Sequence, residues 1–341
     1  MISYWIPIVL LSMLQAPPIE KANAVPPGQP DSGPGGASYG HAEVVFSDFA
    51  RRADGFWLFE PAKPMPEKAP VIVFHHGYGA INPMIYGAWI RHMVRRGNIV
   101  IYPRYQKSLL WPGSKKFIPN AVRGIRSALE ALKADSGRVQ PDTTAFFLAG
   151  HSYGGALSAN IAARYQELGL PHPKGVLLCA PGTGPLKGGL LGDYSGISPG
   201  TQLGIVVSVN DYVVGETLGR LIYQTATATP SRYLIRQFPD SHSAPEISAG
   251  HNECYALDEA FDGGVHNLSL RRAESVAQEN AVDYYLYWKM LDAMQDCYLE
   301  GRHCELAKGC GPEALYMGQW SDGRPVQPLE IWRPDGAKIE R

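Results

Sequence analysis

The feature that most restricts what this chain can fold into is a series of short, continuously apolar runs separated by longer amphipathic ones. Residues 70–76, 98–102, 144–149, 176–180, 203–209 and 233–238 are each of strand length and apolar nearly throughout. A strand with one wet face alternates apolar and polar residues, whereas continuous apolarity marks a strand covered on both faces. Between these runs lie helix-length segments. Val122, Ile125, Leu129 and Leu132 recur at helical spacing in a segment that ends near Gly137, and 84–96, 153–167 and 214–226 read the same way. Two opening segments, 41–46 and 55–60, have no helix between them and suit antiparallel edge strands. The pattern predicts an α/β fold: a mostly parallel sheet of about eight strands with helices on both faces.

Composition narrows the function classes. With 45% apolar residues among 341, the chain can bury a sizeable core, so general disorder is excluded. Lys and Arg total 31 against 32 Asp and Glu. A net charge of −1 gives no overall electrostatic footprint for nucleic acid or anionic lipid, and it suits a neutral small-molecule substrate.

In open α/β sheets ligands bind beyond the carboxyl ends of the strands. The run 144–149 leads into Gly150-His151-Ser152-Tyr153-Gly154-Gly155 and then at once into a helix. This is G-x-S-x-G in a strand–turn–helix setting, which projects the serine hydroxyl from a tight turn; the glycines are needed where a Cβ would collide with neighbouring backbone. A serine nucleophile needs a base, and the base an orienting acid, in the chain order Ser, acid, His. Asn210 and Asp211 follow the run 203–209, and Asp211 is assigned as the acid rather than as a turn or helix-cap residue. Pro239, Asp240, Ser241 and His242 follow the run 233–238. His242 is assigned as the base and Asp240 as a turn residue. His251, in Gly250-His251-Asn252, is the competitor and is set aside because it lies further from the strand end. His151 is expected to pack beneath the turn.

Acyl transfer also needs donors for the developing oxyanion. The N–H of Tyr153, next to the nucleophile, is one. The turn His76-Gly77-Tyr78-Gly79 supplies Tyr78 as the other. The Tyr78 side chain is expected to form a wall of the substrate pocket, and Trp111 either to line that pocket or to anchor its own loop. The segment 182–200 holds seven glycines and is read as a mobile loop over an open site rather than a helical cap.

These motifs, spread over about residues 40–300, resemble those of α/β-hydrolase-fold serine esterases. Within that superfamily the chain is similar to secreted bacterial enzymes of the dienelactone-hydrolase, cutinase and polyester-hydrolase group. The resemblance implies ester hydrolysis with no metal or organic cofactor. Activity on polymers is not implied and is left open, because His151 and Tyr153 stand where polyester hydrolases carry Trp and Met.

The ends complete the reading. Residues 5–14 form an apolar run too short to span a membrane, and Ala22-Asn23-Ala24 is a small-x-small cleavage pattern, so 1–24 is read as a signal peptide and the protein as secreted or periplasmic. A Pro/Gly-rich linker (25–38), a catalytic domain (39–300) and a disulfide-braced extension (301–341) follow. Cys179 is read as a buried thiol. Cys254, Cys297, Cys304 and Cys310 leave three connectivities open, with Cys297–Cys304 and Cys304–Cys310 favoured by spacing. Amide hydrolysis or acyl transfer by the same triad, and a non-catalytic binding protein on this scaffold, are the rival functions; the oligomeric state is left open.

Overall fold

The computed structural model describes residues 23–184, 190–334, 336 and 338–339. Ten strands are found among them: β1 (Glu43–Asp48), β2 (Phe56–Ala62), β3 (Lys68–His75), β4 (Ile99–Pro103), β5 (Gln140–His151), β6 (Pro173–Cys179), β7 (Gln202–Ser208), β8 (Arg232–Gln237), β9 (Glu330–Trp332) and β10 (Lys338–Ile339). They form one sheet in the order β1-β2-β4-β3-β5-β6-β7-β8-β9-β10. The six strands from β4 to β8 are mutually parallel, and the pairs at each edge are antiparallel. This is the α/β-hydrolase fold.

The unbroken apolarity of the central runs is explained by what covers them. In β3, Ile72 and Phe74 point into one core layer, with Trp89 and Met93 of α1 (Gly87–Arg95) and Leu291 and Met294 of α6 (Trp288–Glu300). Val71 and Val73 point into the other, with Ile125 and Leu129 of α2 (Phe117–Ala134), Leu157 and Ile161 of α3 (Tyr153–Ala163) and Ile222 of α4 (Thr217–Thr225). Each such fully buried side chain contributes about 1.5–3 kcal/mol.

The structure refines two expectations. The sheet has ten strands rather than about eight, because the C-terminal segment returns to pair β9 with β8, setting Ile331 opposite Ile235. Segment 25–38, expected as a loose linker, is packed down: Gly35 N–H donates to the buried carboxylate of Asp292 at 2.7 Å, and Ala37 N–H to the Pro30 carbonyl. The C-terminal segment is joined to the body by Lys289, whose Nζ donates to the carbonyls of Glu313 and Tyr316. Burial lowers the pKa of Lys289 to about 7.

Of the favoured connectivities, Cys297–Cys304 is the disulfide formed, and Cys179, Cys254 and Cys310 are free thiols. Residues 1–22 of the expected leader (1–24) and residues 185–189 of the expected mobile loop lie outside the described residues. On the far side of that gap, Tyr194 and Ile197 are buried against the sheet. No helix among the described residues is long and apolar enough to cross a membrane.

Candidate active site

Ser152 stands at the end of β5, the central strand, with φ 54° and ψ −121°. That left-handed strain is held from both sides: its N–H donates to the Cys179 carbonyl of β6 at 2.9 Å, and its carbonyl accepts from Gly182 at 3.1 Å. The glycines of the motif are forced by close approach. A Cβ at Gly154 would overlap the carbonyl oxygens of His75 and His76, and one at Gly150 would overlap the Gly154 carbonyl. The turn therefore presses α3 directly onto the end of β3.

Ser152 Oγ donates to Nε2 of His251 at 2.9 Å, and Nδ1–H of His251 donates to Asp211 Oδ2 at 2.7 Å. The second oxygen of Asp211 accepts from the N–H groups of Val213 and Val214. Burial tends to raise the Asp211 pKa, but the hydrogen bond and charge of His251 and the two amides outweigh it, so the carboxyl is held below its ordinary value. An ionised Asp211 fixes His251 in the tautomer that leaves Nε2 free to accept.

The histidine expected here was His242, and the structure replaces it with His251. After β8 the chain makes an excursion closed by paired hydrogen bonds between Asp240 and Ile247. His242 lies at the far side of that excursion, where Nε2 meets Asp322 Oδ2 at 2.7 Å and Nδ1 meets Arg324 at 2.8 Å, beside Trp320. It thus belongs to the docking of the C-terminal segment. The returning arm is fastened by Asn210 N–H donating to the Ala249 carbonyl, which brings His251 beside Asp211. A histidine fourteen residues beyond the end of β8 proves closer to Asp211 than one five residues beyond it, because the excursion folds back on itself.

His151 does pack beneath the turn, and it also links the parts of the site. Its Nε2–H donates to the His251 carbonyl at 2.8 Å, while Nδ1 accepts from the Tyr86 hydroxyl at 2.9 Å. Tyr86 in turn accepts from the N–H of Gly77 at 2.9 Å. Burial, with the neighbouring His251 adding to it, pushes the His151 pKa down to about 3 and keeps it a neutral relay of fixed tautomer. A continuous hydrogen-bonded path therefore runs from turn 76–79 to the backbone of His251.

In that turn, Gly77 N–H is taken by Tyr86 and Gly79 N–H by Gln106 Oε1 at 2.8 Å. The Tyr78 N–H has no partner among the described residues. Tyr153 opens α3, whose N-terminal end, the positive pole of the helix, borders the same space. A cavity of about 480 Å³ lies over Ser152, walled by Tyr78, Val213, Val214 and Tyr255, with Asn252 and Arg272 at its edge. Trp111, the other expected wall, does not line it; its ring is 78% exposed. Val213 and Val214 could have been found as the neighbours of Asp211, but Tyr255 and Arg272 lie in segments with no motif. No group of three or more His, Cys, Asp or Glu among the described residues is arranged to hold a metal ion.

Comparison with protein families matches residues 71–190 to a model described as the α/β hydrolase fold. That stretch runs from β3 past Ser152 into the Gly-rich segment after β6. No curated protein matches the chain.

Proposed function

We propose that this α/β-hydrolase-fold chain is an exported serine carboxylic-ester hydrolase, with Ser152 as nucleophile, His251 as general base and Asp211 as the residue that orients it. The observation that carries the reading is the unbroken hydrogen-bond chain from Asp211 through His251 to Ser152 at the floor of a largely apolar pocket. Ser152 Oγ attacks the ester carbonyl carbon as His251 Nε2 takes its proton. The negative charge that forms on the carbonyl oxygen is received by the N–H groups of Tyr78 and Tyr153, each such donor being worth about two to three orders of magnitude in rate. His251 returns the proton to the departing alkoxide, leaving an acyl-Ser152 ester. Water, deprotonated by His251, then attacks that ester; the acid leaves and Ser152 regains its proton.

The pocket walls supply contact for an apolar acyl or alkyl portion. The leader sequence and the Cys297–Cys304 disulfide support an oxidising compartment outside the cytoplasm. An amide substrate would use the same residues, and matched ester and anilide substrates separate the two. The test is a fluorophosphonate probe with a panel of short acyl esters. Ser152→Ala is expected to abolish both labelling and turnover, and a variant that retains either overturns the assignment.

A further inference from the structure

The net charge of −1 conceals a strong segregation. Residues 68–129 contain no Asp or Glu but ten Lys and Arg. The fold gathers part of that excess at the carboxyl end of the parallel strands. β2 runs antiparallel to β4, with Phe56 opposite Pro103, and β1 antiparallel to β2, with Asp48 opposite Trp57, so the β1–β2 turn reaches the same end of the sheet as Ser152. There Arg51 and Arg52 of the turn meet Arg104, Lys107 and Lys116 of the segment after β4, and Arg123 of α2, around a cleft of about 640 Å³. Among the described residues Asp54 is the one carboxylate lining it, and it is taken by Arg52 at 3.5 Å and Arg123 at 3.3 Å. Arg51, Lys107 and Lys116 have no ion-pair partner among the described residues.

The loop that carries Lys107 also carries Leu110, 83% exposed, and Trp111. It adjoins the pocket, because the Tyr78 hydroxyl donates to the Leu109 carbonyl at 2.7 Å. On other segments next to the pocket, Tyr212, Val213 and Leu268 are exposed as well. Leu268 opens α5 (Leu268–Val276) next to Asn267, whose Nδ2 holds the Gly79 carbonyl. Single exposed apolar residues need no explanation, but several of them on segments that flank one pocket, beside unpaired cations, mark an interaction surface.

We propose that this rim docks on an anionic lipid surface, with Leu110 and Trp111 entering the headgroup–acyl boundary and Arg51, Lys107 and Lys116 facing the phosphates. A soluble polyanion would satisfy the cations alone. The Leu–Trp pair selects lipid, because only a membrane boundary offers negative charge and hydrocarbon within a few ångströms of each other. Docked in this way, the pocket over Ser152 opens toward the lipid layer. The binding is independent of the ester chemistry and is read on a catalytically dead chain.

The experiment is co-sedimentation of Ser152→Ala protein with vesicles of phosphatidylcholine alone or with 30% phosphatidylglycerol, at low and high salt. Binding is expected to the anionic vesicles, at least tenfold weaker to the neutral ones, and to be released by salt. Each cation is worth about fivefold in partition, so K107E/K116E is expected to weaken binding by more than tenfold, and L110S/W111S to weaken it even at low salt. Made on the active chain, both double variants should keep wild-type turnover of a water-soluble ester, which shows that they fold. Equal binding to both vesicle types, no binding to either, or retention on heparin without binding to vesicles overturns the proposal.

Discussion

His251 and His242 show what a single residue contributes. Both lie after β8, and both meet an aspartate, His251 at Asp211 and His242 at Asp322. Only His251 also reaches a serine hydroxyl. His251→Ala is therefore expected to lower kcat for ester hydrolysis by at least about a thousandfold, whereas His242→Ala should leave kcat within about twofold. Steady-state kinetics on the two variants decide the matter, and a large loss in His242→Ala would reverse the assignment. The strained Ser152 and its flanking glycines were legible in the sequence because their constraint is local: it comes from backbone within a few residues and from the strand alongside. Which histidine meets Asp211 was not legible. Its position depends on a hydrogen bond between Asn210 and Ala249 that no local pattern announces.

At the scale of elements, the ends of β3 and β5 meet α3 in a region that buries three histidines. Burial is the main cause in each case: it lowers His75 and His151 to about 3 and His76 to about 4, from 6.5. An unfolded chain takes up these protons near pH 6.5 and the folded chain does not. Their contribution to stability is complete above about pH 6.5 and is lost as pH falls toward 4 and then 3. Each histidine costs about 2 kcal/mol between pH 6.5 and 5. Denaturant unfolding across that range should show stability falling with acid, and His75→Asn should flatten the slope by about one proton. An unchanged slope in that variant would remove His75 from the account. The elements themselves were readable, since continuous apolarity identified all six parallel strands. The exceptions were short: Glu330-Ile331-Trp332 carries too few residues for a periodic signal, and its place is set by pairing with β8.

For the whole molecule, the two chain ends close what the central sheet leaves open. β9 covers the edge of β8, with Arg236 reaching Glu330 at 3.3 Å and Arg220 lying over the Trp332 ring. At the other end of the chain, Gly35 is tied to Asp292, and Asp292 to His92 of α1. Removing residues 328–341 would expose the unpaired backbone groups of β8, a template for association between chains. Such a truncation is expected to lower Tm by several degrees and to self-associate by light scattering. A monodisperse truncated protein of unchanged Tm would show that the edge needs no cover.

The sequence by itself determined the class of sheet, the strained turn at Ser152 and the Gly-Tyr-Gly turn facing it, because each follows from backbone sterics and from which faces must leave water. Tertiary structure alone decided which histidine meets Asp211, that His151 links two turns, and where segments 25–38 and 330–332 lie. It also decided where the cations collect: overall charge sums to nearly zero whatever the arrangement, and only the antiparallel pairing of β1, β2 and β4 brings one sign of it to the end of the sheet that carries Ser152. Those outcomes rest on contacts between residues tens to hundreds of positions apart, which spacing along a chain cannot encode.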